Sequence, residues 1–101
     1  MFNLNNQYNN PYPNYTENGN LQAFDTLQKA REDLISEIQA IIEYDAHIHT
    51  TPDELARLTW KDIKEEELVH VGELLGLLNY LDPTQKQFVQ KGLAEFMDRM
   101  K

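Results

Sequence analysis

The sequence predicts an all-α chain: an antiparallel two-helix hairpin followed by a short third helix. Three observations carry this. Apolar residues recur at alternating steps of three and four along two long segments, which places each set on one helical face. No segment alternates apolar and polar residues at the period of two that a strand requires. Two prolines, Pro52 and Pro83, interrupt the pattern where helix boundaries are due.

The first helix is expected from about Leu21 to about His49. Leu27, Ala30, Leu34, Glu37, Ile41, Tyr44 and Ile48 form its stripe, and Phe24, Ile38 and Ile42 widen it. Asn20 is its expected N-cap. The second helix is expected from Pro52 to about Leu81. Thr51-Pro52-Asp53-Glu54 reads as a capping box, with Thr51 at N-cap, Pro52 at N1 and Glu54 at N3. Its stripe is Trp60, Ile63, Glu67, His70, Leu74, Leu77 and Leu81, flanked by Val71 and Leu78. Gly72 and Gly76 lie off that stripe, where another helix backbone can approach closely. Pro83 disfavours helical backbone at Asp82, so the second helix ends there. Asp82 then caps a third helix with Pro83 at N1, whose apolar face is Phe88, Gly92, Leu93, Phe96 and Met100.

Residues 1–20 stand apart. They hold eight Asn, three Tyr and two Pro but one charged residue, Glu17. So little apolar surface and no period predict a disordered tail, with the helical domain spanning 21–101.

Charge and composition exclude several function classes. Nine Lys+Arg against seventeen Asp+Glu give a formal charge of -8. That balance disfavours nucleic acid, whose phosphates call for Lys and Arg, and it disfavours an anionic membrane surface. No apolar run nears the ~18 residues of a membrane span, and the N-terminus is not of signal type. A cytoplasmic protein is the expectation. Without Cys there is no disulfide, thiol catalysis or thiolate-bound metal.

Two helices of about thirty residues make a thin core. Chains with so little core gain stability from a disulfide, a metal or association. With no disulfide available, pairing of two hairpins into a four-helix bundle is the expected solution.

Three ionisable residues interrupt the apolar stripes. Glu37 lies between Leu34 and Ile41, while Glu67 and His70 lie between Ile63 and Leu74. Spaced by three, Glu67 and His70 share a helix face. A buried carboxylate without a partner costs several kcal/mol. Pairing of Glu37 with Arg31, or a solvated gap in the bundle, would satisfy the carboxylates without a metal. A metal accounts for all three residues at once. Glu-x-x-His on one helix facing Glu on another is half of the ligand set of dinuclear carboxylate bundles, and a homodimer completes it. Oxygen and imidazole ligands suit iron, with manganese as the other candidate. Glu66 flanks the site as an alternative ligand. The remaining acids, among them Asp33 and Glu73, fall off the stripes and read as a solvated face. Asp45, His47 and His49 cluster at the end of the first helix, where cationic or polar groups favour the macrodipole. Trp60 is expected in the core at the end of the bundle.

The run Glu37-Ile38-Gln39-Ala40-Ile41-Ile42-Glu43-Tyr44-Asp45, the run Glu65-Glu66-Glu67-Leu68-Val69-His70 and the closing Asp82-Pro83 resemble the encapsulated ferritin-like proteins, half-length members of the ferritin/rubrerythrin superfamily. The resemblance covers roughly residues 25–83. It implies a ferritin-like four-helix bundle formed by two hairpins and a dinuclear iron ferroxidase centre at the dimer interface. The implied ligands are Glu37, Glu67 and His70, with Tyr44 beside the centre as the catalytic neighbour. It further implies an annular decamer working in iron storage and detoxification inside an encapsulin shell. Ser36 and Gln39 stand where the family carries additional acids for iron uptake. The last residues, Phe96 to Lys101, read as the end of an amphipathic helix rather than a short apolar targeting peptide. Other functions compatible with the pattern are a dimanganese or diiron peroxidase of rubrerythrin or catalase type, and a metal-free structural or coat-assembly bundle.

Overall fold

In the computed structural model, residues 20–101 are described. Three helices follow in order: α1 (Asn20–Thr50), α2 (Glu54–Leu81) and α3 (Pro83–Arg99). No strand occurs among the described residues, in agreement with the all-α expectation. The expected tail lies outside the described residues except for Asn20, which begins α1, so a cap for that helix would also lie outside them.

At ~1.5 Å per residue, the 31 residues of α1 and the 28 of α2 make rods of roughly 40–45 Å. They pack antiparallel along their length, as the short connection Thr51-Pro52-Asp53 requires. Asp53, not Thr51, caps α2. Its backbone is extended (φ -73°, ψ 119°), and its carboxylate accepts the Ala56 N–H at 2.8 Å. The first helical bond runs from Arg57 N–H to the Asp53 carbonyl at 3.0 Å. The expected capping box at Thr51 and Glu54 does not form: the N-cap moves two residues on, and its N3 position is Ala56, which cannot complete a box. A carboxylate at the positive end of a helix dipole is a stronger acceptor there than a hydroxyl.

The core sits at the open end of the hairpin. Leu27, Ala30 and Leu78 are buried, with Leu34 and Leu81 packed against them. These are stripe or flanking residues of α1 and α2. Elsewhere the stripes are only half-covered: Ile41, Tyr44, Ile48, Trp60, Ile63 and Leu74 are intermediate in exposure. The widening residues Ile38 and Ile42 are exposed. A Cβ added at Gly72 or Gly76 would meet nothing within 4 Å among the described residues, so no other described helix approaches them.

Asp82 joins α2 to α3 and is fully buried. Its N–H donates to the Leu78 carbonyl at 2.9 Å, closing α2. Its Oδ1 accepts the Gln85 N–H at 3.1 Å, opening α3 with Pro83 in the first turn. Arg31 of α1 fixes this corner. Its Nη2 lies 3.6 Å from Asp82 Oδ2, and its Nε and Nη2 donate to Gln85 Oε1 at 3.1 and 2.6 Å. One arginine thus ties all three helices together. Beyond this corner α3 is exposed along its length.

Candidate metal centre

The mid-hairpin stretch follows from the register of α1 and α2. Glu37 faces α2 because it keeps the stripe spacing of Leu34 and Ile41. Glu67 and His70 face α1 because they keep that of Ile63 and Leu74. The structure brings all three together: one ligand atom from each lies within 4.8 Å of the others. Among the described residues this is the one such group of three or more His, Cys, Asp or Glu. His70 Nδ1 stands 3.5 Å from Glu37 Oε1 and 3.8 Å from Glu67 Oε2. Both separations are too long for hydrogen bonds. They suit atoms arranged around a shared cation, since ligands ~2.0–2.2 Å from an ion stand roughly 3–4 Å apart.

Glu37 carries the strongest sign of a missing positive partner. Its Oε2 is buried and accepts no hydrogen bond. The side chains of Glu37 and Glu67 are 23% and 20% exposed, so solvent reaches both only in part. Arg31 does not relieve Glu37, as that guanidinium is committed to Gln85, Asp82 and Gln28. The sequence alternative of an Arg31–Glu37 pair is thereby overturned. Among the described residues, His70 is the sole basic side chain within ion-pair distance of either carboxylate. The donor set, two carboxylates and an imidazole around an uncompensated buried oxygen, fits a borderline divalent cation such as iron or manganese.

A pocket of about 260 Å³ opens on Glu37 and His70, and Asp33, Ser36, Glu73 and Leu74 complete its lining. Asp33 and Glu73 were not expected near the site, because neither lies on a stripe. The available signal was spacing: Asp33 is one turn before Glu37, and Glu73 is one turn after His70. In an antiparallel pair these positions come level. Gln39 instead donates to Glu43 at 3.2 Å. Glu66 is exposed and outside the group.

Tyr44 is half-buried, two turns after Glu37. Its ring stands edge-on to His47 at 6.4 Å between centroids, and His47 stands at 4.9 Å from Trp60. The two helices meet again here, where Lys64 Nζ donates to Asp45 Oδ1 at 2.6 Å. His49 Nδ1 donates to the Asp45 carbonyl at 2.7 Å. His49 thus answers one carbonyl near the end of α1, Asp45 is paired with Lys64 of α2, and Trp60 is half-buried against His47 rather than enclosed.

No protein-family model matches the chain. The crystal structure of an encapsulated ferritin domain from Pyrococcus furiosus aligns with a TM-score of 0.72 and 27% identity, over 97% of this chain and 92% of that one. The chain therefore has the fold of a ferritin-like domain and is similar to an encapsulated one. A ferritin-like–encapsulin shell fusion protein of Pyrococcus furiosus is also 37% identical over 62 residues. The matched segment is 61% of this chain and 18% of the fusion protein, so the chain corresponds to a small part of that relative. Among the described residues, no helix is long and apolar enough to cross a membrane.

Proposed function

We propose that the chain forms half of a ferritin-like iron-oxidising centre. Two hairpins would pair so that two copies each of Glu37, Glu67 and His70 surround two ferrous ions, the substrate. The observation that carries this is the buried, unpartnered Oε2 of Glu37 beside Glu67 and His70. Four carboxylates from two chains balance the charge of two divalent cations, while imidazole contributes nitrogen without charge. Each ferrous ion gives one electron, and dioxygen takes up two electrons and two protons to leave as hydrogen peroxide.

The protein's own part is to bind and to exclude. Glu37 and Glu67 supply anionic oxygens that favour the higher oxidation state, and a second hairpin over the half-covered stripes would limit water. His70 fixes one direction of approach. Tyr44 serves as a phenolic donor or redox-active neighbour on the same face. The half-covered stripes support pairing of hairpins, because a second copy would bury what one chain leaves open.

The relatives support a wider setting. One is an encapsulated ferritin domain, and the other joins a ferritin-like part to an encapsulin shell in a single protein. We extend to this chain an association with an encapsulin compartment, where it would oxidise iron for storage.

The test is anaerobic loading with Fe(II) followed by exposure to air. The parent protein is expected to bind about one iron per chain and oxidise it. Glu37→Ala and His70→Ala are each expected to lose at least tenfold in iron affinity or rate, in line with loss of a metal ligand. Variants that bind and oxidise iron like the parent would remove these residues from the site.

A further inference from the structure

Three rings join α1 to α2 at the loop end of the hairpin. Tyr44 and His47 lie one turn apart on α1, and Trp60 lies on α2. Tyr44 stands edge-on to His47 at 6.4 Å, with 86° between the ring planes. His47 stands at 4.9 Å from Trp60, with 61° between the planes. Both separations are contact distances for aromatic rings, so the three form an unbroken relay from one helix to the other. The Lys64–Asp45 pair holds the helices in this register, one turn along α2 from Trp60 and next to Tyr44 on α1.

The two ends of the relay differ in setting. Tyr44 keeps the stripe spacing of Glu37 at two turns, a rise of ~10.5 Å, and so marks the inner end. Trp60 is half-buried beside an exposed His47, and marks the end that solvent reaches. Phenol and indole share a property that aliphatic packing residues lack. Each gives up one electron readily, together with its O–H or N–H proton.

We propose that Trp60 is a reserve electron donor to Tyr44 through His47, and that this relay removes hydrogen peroxide left at the candidate centre. The source of the peroxide rests on the iron-oxidising reading above; the relay belongs to the protein alone. Tyr44 gives one electron and its phenolic proton. Trp60 then gives one electron across His47 to the Tyr44 radical, which regains a proton from solvent, while the indole releases its N–H proton. The net loss is one electron and one proton per hairpin. Two hairpins around one centre supply two of each, and these turn one hydrogen peroxide into two waters. The oxidation is left at Trp60, away from Glu37, Glu67 and His70, where a thiol reductant in solution restores the indole.

Pulse radiolysis tests the relay without iron. At neutral pH the azide radical oxidises indole in preference to phenol, and Trp60 is the chain's single tryptophan. In metal-free, full-length protein the indolyl absorbance is expected to decay as phenoxyl absorbance rises, at a rate independent of protein concentration. This phase is expected to vanish in Tyr44→Phe, which keeps the ring and the packing, to slow at least tenfold in His47→Ala, and to persist in Tyr80→Phe. Absence of the phase in the parent, or an undiminished phase in Tyr44→Phe or His47→Ala, would overturn the proposal.

Electron paramagnetic resonance of Fe(II)-loaded protein, frozen after addition of hydrogen peroxide, tests the direction of transfer. The parent is expected to show an indolyl radical, and Trp60→Phe a phenoxyl radical in its place. Normal iron oxidation with neither radical would overturn the peroxide step and leave the iron-oxidising reading standing. Ring-to-ring transfer in a protein that oxidises no iron would overturn that reading instead.

Discussion

At the scale of single residues, the chain accepts a local cost at Glu37. Its Oε2 is buried without a hydrogen bond, and Glu67 shares the same small volume. An unsatisfied buried group costs ~1–3 kcal/mol. Glu37→Gln removes one charge with little change in shape. Metal-free Glu37→Gln is therefore expected to be more stable than the parent by roughly 1 kcal/mol in urea denaturation, while binding divalent metal at least tenfold more weakly. A variant less stable than the parent without metal would mean that Glu37 is already satisfied. The three candidate positions were legible in the sequence because charge inside an apolar stripe is conspicuous. The fate of Arg31 was not legible. One and a half turns from Glu37, it competes for several acceptors, and fully buried Asp82 lies on the far side of the chain reversal. Only the fold brings that residue within reach.

At the scale of elements, two caps decide where the helices begin. Asp53 holds the start of α2 through one exposed bond to Ala56, so Asp53→Ala is expected to cost ~1 kcal/mol. Asp82 caps α3 and also answers Arg31 in a buried corner. Asp82→Ala is expected to cost more, about 2–3 kcal/mol in urea denaturation. Equal losses at the two sites would show that the Arg31 corner adds nothing to the cap. The Lys64–Asp45 pair is partly solvated, and Lys64→Ala should change stability by less than ~1 kcal/mol. The Asp82-Pro83 boundary was readable because proline narrows the choice of start to one residue. The Thr51-Pro52-Asp53 boundary was not, because two good capping residues flank one proline and only the packed register selects Asp53. Periodicity found both long helices but could not tell which side of a broad apolar surface is covered. Ile38 and Ile42 read as extensions of the stripe, yet the narrow contact of two helices leaves them outside.

At the scale of the whole molecule, the three buried apolar residues among those described make a small core for rods of this length. Such a chain gains stability from what binds it. A divalent cation that binds the folded state alone, at a hundredfold excess over its Kd, adds about 2.7 kcal/mol. The melting temperature is therefore expected to rise with Fe(II) or Mn(II) in the parent and to stay flat in His70→Ala. The charge of -8 belongs to this scale as well. Much of it is solvated surface, but Glu37 and Glu67 place two of the acids where the hairpin would otherwise be apolar. The central claim is that a cation bridges Glu37, Glu67 and His70 between two copies. Anomalous scattering from a crystal grown with iron tests it most directly. Two iron peaks beside a dimer axis, each ligated by these three residue types, are the expected result. Absence of iron from the full-occupancy dimer, or iron peaks confined to other surface carboxylates, would contradict it.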